Sequence, residues 1–183
     1  MAGVAFVLSV DKILDTSRHG FPIRWSSVPL FVAFGVTALT FFHDTSIYLD
    51  QMYVEKKLGR MGRSRALADL TTGSIYLFLL IVLSIEIDRP LYFTLTLLIL
   101  LGTGELRVLL TWSLSRRMLE VERAFLLTTA GAIGGILVSL VILEVGTSAH
   151  TRNAVLKGIV LGITVARTSL QYVLSFDAYF PPD

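Results

Sequence analysis

Residues 91–112 have the sequence LYFTLTLLILLGTGELRVLLTW, whose only charged residues are Glu105 and Arg107. A transmembrane helix needs about 20 mainly apolar residues to cross the hydrocarbon core of a bilayer, and this stretch is long enough. The helix-breaking sequence Asp88-Arg89-Pro90 precedes it. We therefore predict that residues 91–112 form a membrane-spanning helix that carries two charges inside the bilayer.

The composition of the whole chain agrees with a membrane protein. Of its 183 residues, 54% are hydrophobic and 16% are charged, whereas roughly 25% of residues are charged in a typical soluble domain. The apolar positions suffice for about five spans, which leaves no room for a separate soluble domain. The chain has no cysteine, so disulfides, iron–sulfur clusters and thiolate zinc sites are excluded.

Five hydrophobic stretches predict the spanning helices, at residues 28–52, 66–85, 91–112, 124–145 and 154–176. Before them, apolar residues from Phe6 to Leu14 recur at helical spacing and predict an amphipathic helix at the membrane interface. A short helix packed on the protein itself fits that pattern equally well. The predicted fold class is an all-α polytopic membrane bundle of about five transmembrane helices plus an N-terminal interfacial amphipathic helix.

We divide the chain into three parts on this basis. Residues 1–24 form the N-terminal helix and a linker, residues 25–178 form the bundle, and residues 179–183 form a short C-terminal tail. The distribution of lysine and arginine gives the orientation, because cytoplasmic loops are enriched in both. Two loops on one side of the predicted bundle hold Lys56, Lys57, Arg60, Arg63, Arg65, Arg116, Arg117 and Arg123. We expect a multi-pass protein of the cell membrane with these loops in the cytoplasm, although Lys12, Arg18 and Arg24 favour the opposite orientation.

Charged residues within the spans lie at similar depths. Counted from the cytoplasmic ends at 1.5 Å per residue, Asp44, Glu105 and Arg167 lie roughly 12 Å deep. Arg107 lies at roughly 9 Å and Asp69 at roughly 5 Å by the same count. Charges inside a bilayer are costly and mark functional sites. The sequence therefore predicts a polar layer in the cytoplasmic half of the membrane, formed by His43, Asp44, Asp69, Glu105, Arg107 and Arg167.

Two interpretations of this polar layer stay open. It can be a pathway for ions, protons or a small polar solute, with His43 adding a group that titrates near neutral pH. Alternatively, Asp44 and Glu105 pair with Arg107 and Arg167 and only fix how the helices meet.

Small residues predict helix contacts in the last two spans. Gly131 and Gly135 are four residues apart, as are Gly158 and Gly162. Such spacing lets helix backbones approach closely in lipid. We expect these glycines to form packing faces.

The first basic loop offers a candidate contact surface. Its residues Lys56, Lys57, Arg60, Arg63 and Arg65 could bind anionic lipid head groups or an acidic partner. Setting the topology is the simpler role of the same charges. We expect no nucleic-acid partner, because the membrane topology explains the basic residues.

The sequence gives little support for an enzyme. Adjacent helical residues point about 100° apart, so His43 and Asp44 cannot chelate one metal by adjacency, and we expect no metal and no cofactor. Gly102-Thr103-Gly104-Glu105 resembles the GxGD signature of intramembrane aspartyl proteases, with glutamate in place of aspartate. No Pro-Ala-Leu element accompanies it. The resemblance implies an intramembrane hydrolase, which we rank third.

The leading functional expectation is a small homo-oligomeric channel or transporter for ions or protons, in contact with the lipid bilayer. The polar layer would line or gate its cytoplasmic half. The alternative is a non-catalytic membrane subunit that scaffolds a larger complex or signals through a cytoplasmic partner.

Overall fold

The protein is almost entirely helical in the part of the chain that the computed structural model describes, namely residues 2–14, 23–50, 54, 63–115, 120–146 and 148–179. A 3₁₀ turn, Trp25–Ser27, precedes the second helix. The helices are α1 (Ala2–Ile13), α2 (Val28–Leu49), α3 (Arg63–Ile85), α4 (Pro90–Ser115), α5 (Glu120–Gly146), α6 (Ala149–Leu174) and α7 (Phe176–Tyr179). The predicted all-α fold class is confirmed.

Five helices in the described part of the chain are long and apolar enough to cross a membrane. Their candidate spans are Trp25–Leu49, Ala66–Ile85, Pro90–Ser113, Val121–Val145 and Thr151–Leu174. Large apolar side chains also cover the outer surface, and Leu39, Val145 and Val173 are at least 71% exposed. Such a surface requires an apolar surrounding, so the chain is built as a multi-pass membrane protein whose helices contact lipid.

Local sequence explains where several helices begin. Pro29 lies in the first turn of α2 and Pro90 begins α4, positions where the missing N–H of proline costs nothing. Ser148 caps α6, and its hydroxyl accepts a hydrogen bond from the Thr151 amide at 3.5 Å. Within the helices, hydroxyl groups donate to the preceding turn, as Thr94 does to the Pro90 carbonyl at 2.7 Å. These local hydrogen bonds satisfy the hydroxyls without water.

The helices form a ring whose order differs from the sequence order. Going around it, α3 packs on α4, α4 on α5, α5 on α6, and α6 on α2. The helix α1 packs on α3, and α2 completes the ring through contacts of similar, small extent with both α1 and α3. Consecutive spanning helices are antiparallel. We call the end where α2, α4 and α6 finish the basic end, because the sequence between α2 and α3 is rich in lysine and arginine.

The N-terminal helix α1 packs mainly along α3. Its Ser9 is fully buried, and the Phe6 ring centroid lies 6.0 Å from that of Phe31 on α2. The Lys12 amine lies 3.8 Å from the Asp88 carboxylate, in the turn between α3 and α4. The sequence left open whether α1 lies at the membrane interface or packs on the protein, and these contacts support the packed arrangement.

Apolar side chains fill the half of the bundle opposite the basic end. Leu30, Phe34, Leu83, Phe93 and Leu97 are each at most 1% exposed. They come from three helices and belong to one continuous cluster. Polar and charged side chains meet in the other half, so the bundle has one apolar half and one polar half.

We expect Phe93→Ala to destabilise the bundle more than Val141→Ala, because the Phe93 side chain is fully buried whereas the Val141 side chain is 66% exposed. Lipid can occupy the space left by the exposed side chain, whereas Phe93→Ala leaves a cavity that costs about 2 kcal/mol. Reversible unfolding in mixed micelles with increasing sodium dodecyl sulfate measures the difference. Equal midpoints for the two variants would contradict tight packing at Phe93.

Candidate functional site

The first charged group lies near the basic end and joins three helices. Arg107 Nε lies 3.8 Å from Asp69 Oδ1, and Arg107 Nη2 lies 4.0 Å from Glu122 Oε1. The guanidinium also lies over the Tyr48 ring, 4.1 Å from its centroid. Neutral donors also reach both carboxylates, since Tyr48 donates to Asp69 Oδ2 at 2.8 Å and Thr111 donates to Glu122 Oε1 at 3.5 Å. We call Asp69, Arg107 and Glu122 the basic-end triad.

The second charged group lies deeper and centres on Arg167 of α6, which is 6% exposed. Arg167 Nε donates to Thr129 Oγ1 at 3.0 Å, and the guanidinium lies 5.0 Å from the Phe125 ring centroid. Asp44 and Glu105 are within electrostatic range of this guanidinium. Among the described residues, no carboxylate oxygen lies within 4.0 Å of an Arg167 nitrogen. We call Asp44, Glu105 and Arg167 the inner triad.

Neutral side chains hold the Asp44 carboxylate. Gln171 Nε2 donates to Asp44 Oδ2 at 2.6 Å, and the Tyr179 hydroxyl donates to Asp44 Oδ1. Gln171 Nε2 also lies 3.0 Å from the Tyr179 hydroxyl oxygen. Tyr179 lies outside the spans, and burial, reinforced by the nearby Asp44 carboxylate, raises the pKa of its phenol. The phenol therefore stays protonated and keeps donating at neutral pH.

His43 belongs to a separate aromatic cluster at the basic end of α2. Its Nδ1 is 2.7 Å from the Tyr172 hydroxyl. The ring centroids of His43, Tyr172 and Tyr179 lie 4.6–5.5 Å apart. His43 thus contacts the residues that cover Asp44 and belongs to neither triad.

Two small spaces lie beside the charged groups. The first, which we call the cleft, has room for about three water molecules. The second, which we call the chamber, has room for about one. Asp44, Tyr76 and Phe125 border both spaces. Arg107 and Glu122 border only the cleft, and Thr37 and Arg167 border only the chamber.

The ion pairs differ from those that the sequence suggested. Arg107 pairs with Asp69 and Glu122, whereas the sequence offered Asp44 and Glu105 as its partners. The reason is the position of the helices around the ring, because the basic-end halves of α3 and α5 both border the end of α4. Depth along a span, which the sequence gives, does not determine this position.

Sequence reasoning missed four residues of the site. Glu122 lies just before the predicted start of the fourth span, and Tyr179 was assigned to the C-terminal tail. Gln171 and Tyr76 are uncharged and attracted no attention. Helical spacing could have found Gln171, because it lies four residues after Arg167 and therefore on the same face of α6.

The four glycines predicted to form packing faces have different surroundings. A Cβ at Gly135 would lie 3.3 Å from the Ile163 side chain, so this glycine lies where α5 crosses α6. A Cβ at Gly131, Gly158 or Gly162 would meet none of the described atoms within 4 Å. These three glycines face away from the chain's own helices.

The predicted lipid or partner contact lies largely outside the described residues. Lys56, Lys57 and Arg60 fall there entirely. Arg63 and Arg65 lie in the first turn of α3, where the structure describes only the backbone.

The described residues give no support for hydrolysis or a metal centre. No hydrogen bond joins Asp44 to Glu105 in this part of the chain, although a protease dyad needs two carboxylates that share a proton. No three acidic, histidine or cysteine side chains of the described part are placed to hold a metal ion. Comparison of the chain with protein-family models, curated proteins and solved structures finds no match.

We expect a double-mutant cycle to show that Asp69 and Arg107 are coupled. Asp69→Asn and Arg107→Gln should each destabilise the bundle, and the double variant should lose less than the sum by about 1 kcal/mol. Both side chains are at most 20% exposed, so solvent weakens their interaction little. Unfolding in mixed micelles gives the free energy of unfolding of the two single variants and the double variant.

The matched control is the pair Lys12 and Asp88, whose side chains are each 34% exposed. Lys12→Gln and Asp88→Asn should be additive within about 0.5 kcal/mol, because exposed pairs contribute little. Additivity in the first cycle as well would mean that Asp69 and Arg107 do not interact.

Proposed function

We propose that the protein is a transporter for protons, or for small cations that take their place, and that the path leads from the basic end to Asp44. One observation carries this proposal. Asp44 lies deep in the described spans, its carboxylate is held by the neutral donors Gln171 and Tyr179, and it borders both the cleft and the chamber.

A charge inside a membrane is costly. The inner triad places two carboxylates, Asp44 and Glu105, in electrostatic range of one guanidinium, Arg167. A proton or a small cation bound at Asp44 would offset this negative charge. The cleft borders Asp44 as well as Arg107 and Glu122 of the basic-end triad, so water in the cleft would link Asp44 to the basic end.

The packing of the other half favours a transporter over an open channel. Leu30, Phe34 and Phe93 are at most 1% exposed there, and apolar side chains offer no hydrogen bonds to a moving proton. The path from the basic end is therefore closed beyond the inner triad, and release on the other side requires a second conformation.

The orientation and assembly expected from the sequence remain part of the proposal. By the positive-inside rule, the basic end faces the cytoplasm. The expected location is the cell membrane. Gly158 and Gly162, exposed on α6, leave a surface on which a second copy can pack closely. The native mass of the purified protein in detergent tests this homo-oligomer.

Asp44→Asn tests the proposed function directly. Asparagine keeps the size and the hydrogen-bond acceptor of the side chain but cannot exchange a proton. We expect proton flux into liposomes, followed with a pH-sensitive dye under a potassium diffusion potential, to fall about 100-fold. Asp88→Asn makes the same chemical change in a surface turn and should leave the flux unchanged. Native flux with Asp44→Asn would rule out a path through Asp44.

A second function is supported by the contacts of Arg107. This side chain touches Tyr48, Asp69 and Glu122 on three other helices, as expected of a clamp in a non-catalytic membrane subunit. Under that function the purified chain carries no flux at any pH or voltage, and Asp44→Asn changes only assembly or stability.

A further inference from the structure

Tyr76 of α3 lies between the cleft and the chamber. It borders both spaces and is 5% exposed. Its ring stacks on Phe41 of α2, with centroids 4.7 Å apart and planes inclined by 12°. A stacked, buried ring has little freedom to turn away, so Tyr76 forms the wall between the two spaces together with Phe125 and Asp44, which also border both.

Gly104 of α4 makes this position possible. A Cβ at residue 104 would overlap the Tyr76 hydroxyl oxygen and would lie 2.5 Å from Phe125 Cζ. Any other residue at 104 would therefore displace both rings of the wall. The close approach of the Tyr76 hydroxyl to a helix backbone leaves little space for passage on that side.

The Tyr76 hydroxyl is free to form hydrogen bonds in the spaces it borders. Among the residues that the structure describes, it has no hydrogen-bond partner. Charged groups of both triads surround it within electrostatic range, namely Asp44, Glu105, Arg107 and Arg167. A phenol hydroxyl both donates and accepts, so it can accept a hydrogen bond from one water molecule and donate one to another.

We propose that Tyr76 is the selectivity residue of the pathway, which passes protons between the cleft and the chamber and stops hydrated cations. This inference rests on the proposed function and names the species that passes. The ring closes the wall to anything larger than a water molecule. The hydroxyl accepts a proton from water in the cleft as its own O–H bond breaks toward the chamber. The hydroxyl then rotates back to its first orientation. One proton has passed from the cleft to the chamber, and the phenol is unchanged.

Silver ion and single cysteines test the wall without measuring transport. The chain has no cysteine, so Thr37→Cys places one thiol in the chamber and Val121→Cys places one in the cleft. The purified protein in detergent is treated with Ag⁺. It is then denatured, and a fluorescent maleimide counts the thiols that remain.

With Tyr76 present, the thiol at position 121 should react with Ag⁺ and the thiol at position 37 should stay intact over the same time. Tyr76→Ala should make position 37 react as position 121 does, and Tyr76→Phe should leave it protected. Tyr76→Leu replaces the alanine variant if that variant loses its helix content. The proposal is overturned if both thiols react equally while Tyr76 is present. It is also overturned if the thiol at position 121 does not react, or if the thiol at position 37 stays protected in Tyr76→Ala.

Flux measurements test the hydroxyl separately. Tyr76→Phe should lower proton flux about tenfold, because a positioned proton-transfer group contributes at least this much, and should admit no sodium. Tyr76→Ala should let sodium enter the liposomes. Unchanged proton flux in Tyr76→Phe overturns the relay. Absence of proton flux in the native protein, with position 37 still protected, would refute the proposed function and leave the wall in place.

Discussion

The cost of a formal charge in hydrocarbon is the constraint on which this structure depends. Each of the five spanning helices contributes at least one charged residue to the polar half, from Asp44 on α2 to Arg167 on α6. A charge that faced lipid would cost several kcal/mol, so each helix is turned about its axis until its charge faces the interior. The charges thereby set the rotation of every spanning helix, and the apolar faces that remain outside meet lipid.

The apolar half of the bundle stabilises the fold, and the polar half holds the ionisable groups. Close packing of Leu83, Phe93 and Leu97 excludes water from around these side chains and holds the helices at fixed distances. In the polar half, side chains meet through single hydrogen bonds and ion pairs of 3.8–4.0 Å, with small spaces between them. Gly104 serves both close packing and the small spaces of the polar half. Only a residue without a side chain lets the Tyr76 hydroxyl lie against α4.

The sequence predicted the helices and the height of the charges but not their partners. Apolar length and charge position depend on one helix at a time, so all five spans were found within a few residues. Partners depend on the order of helices around the ring, in which α2 lies beside α6. That order brings Gln171 and Tyr179 to Asp44, and neither carries a charge that would have drawn notice. The exposed Gly158 and Gly162 show the same limit, because spacing alone does not tell which helix a small residue faces.

Asp44 differs from the other carboxylates in the groups that hold it. Asp69 and Glu122 lie within 4.0 Å of the Arg107 guanidinium. Both oxygens of Asp44 accept hydrogen bonds from neutral donors, Gln171 and Tyr179. A proton on Asp44 weakens these hydrogen bonds but breaks no ion pair of 4.0 Å or less among the described residues. Asp44 also borders both the cleft and the chamber. A carboxylate that is held by neutral donors and lies where two spaces meet is the group of this site best suited to exchange a proton.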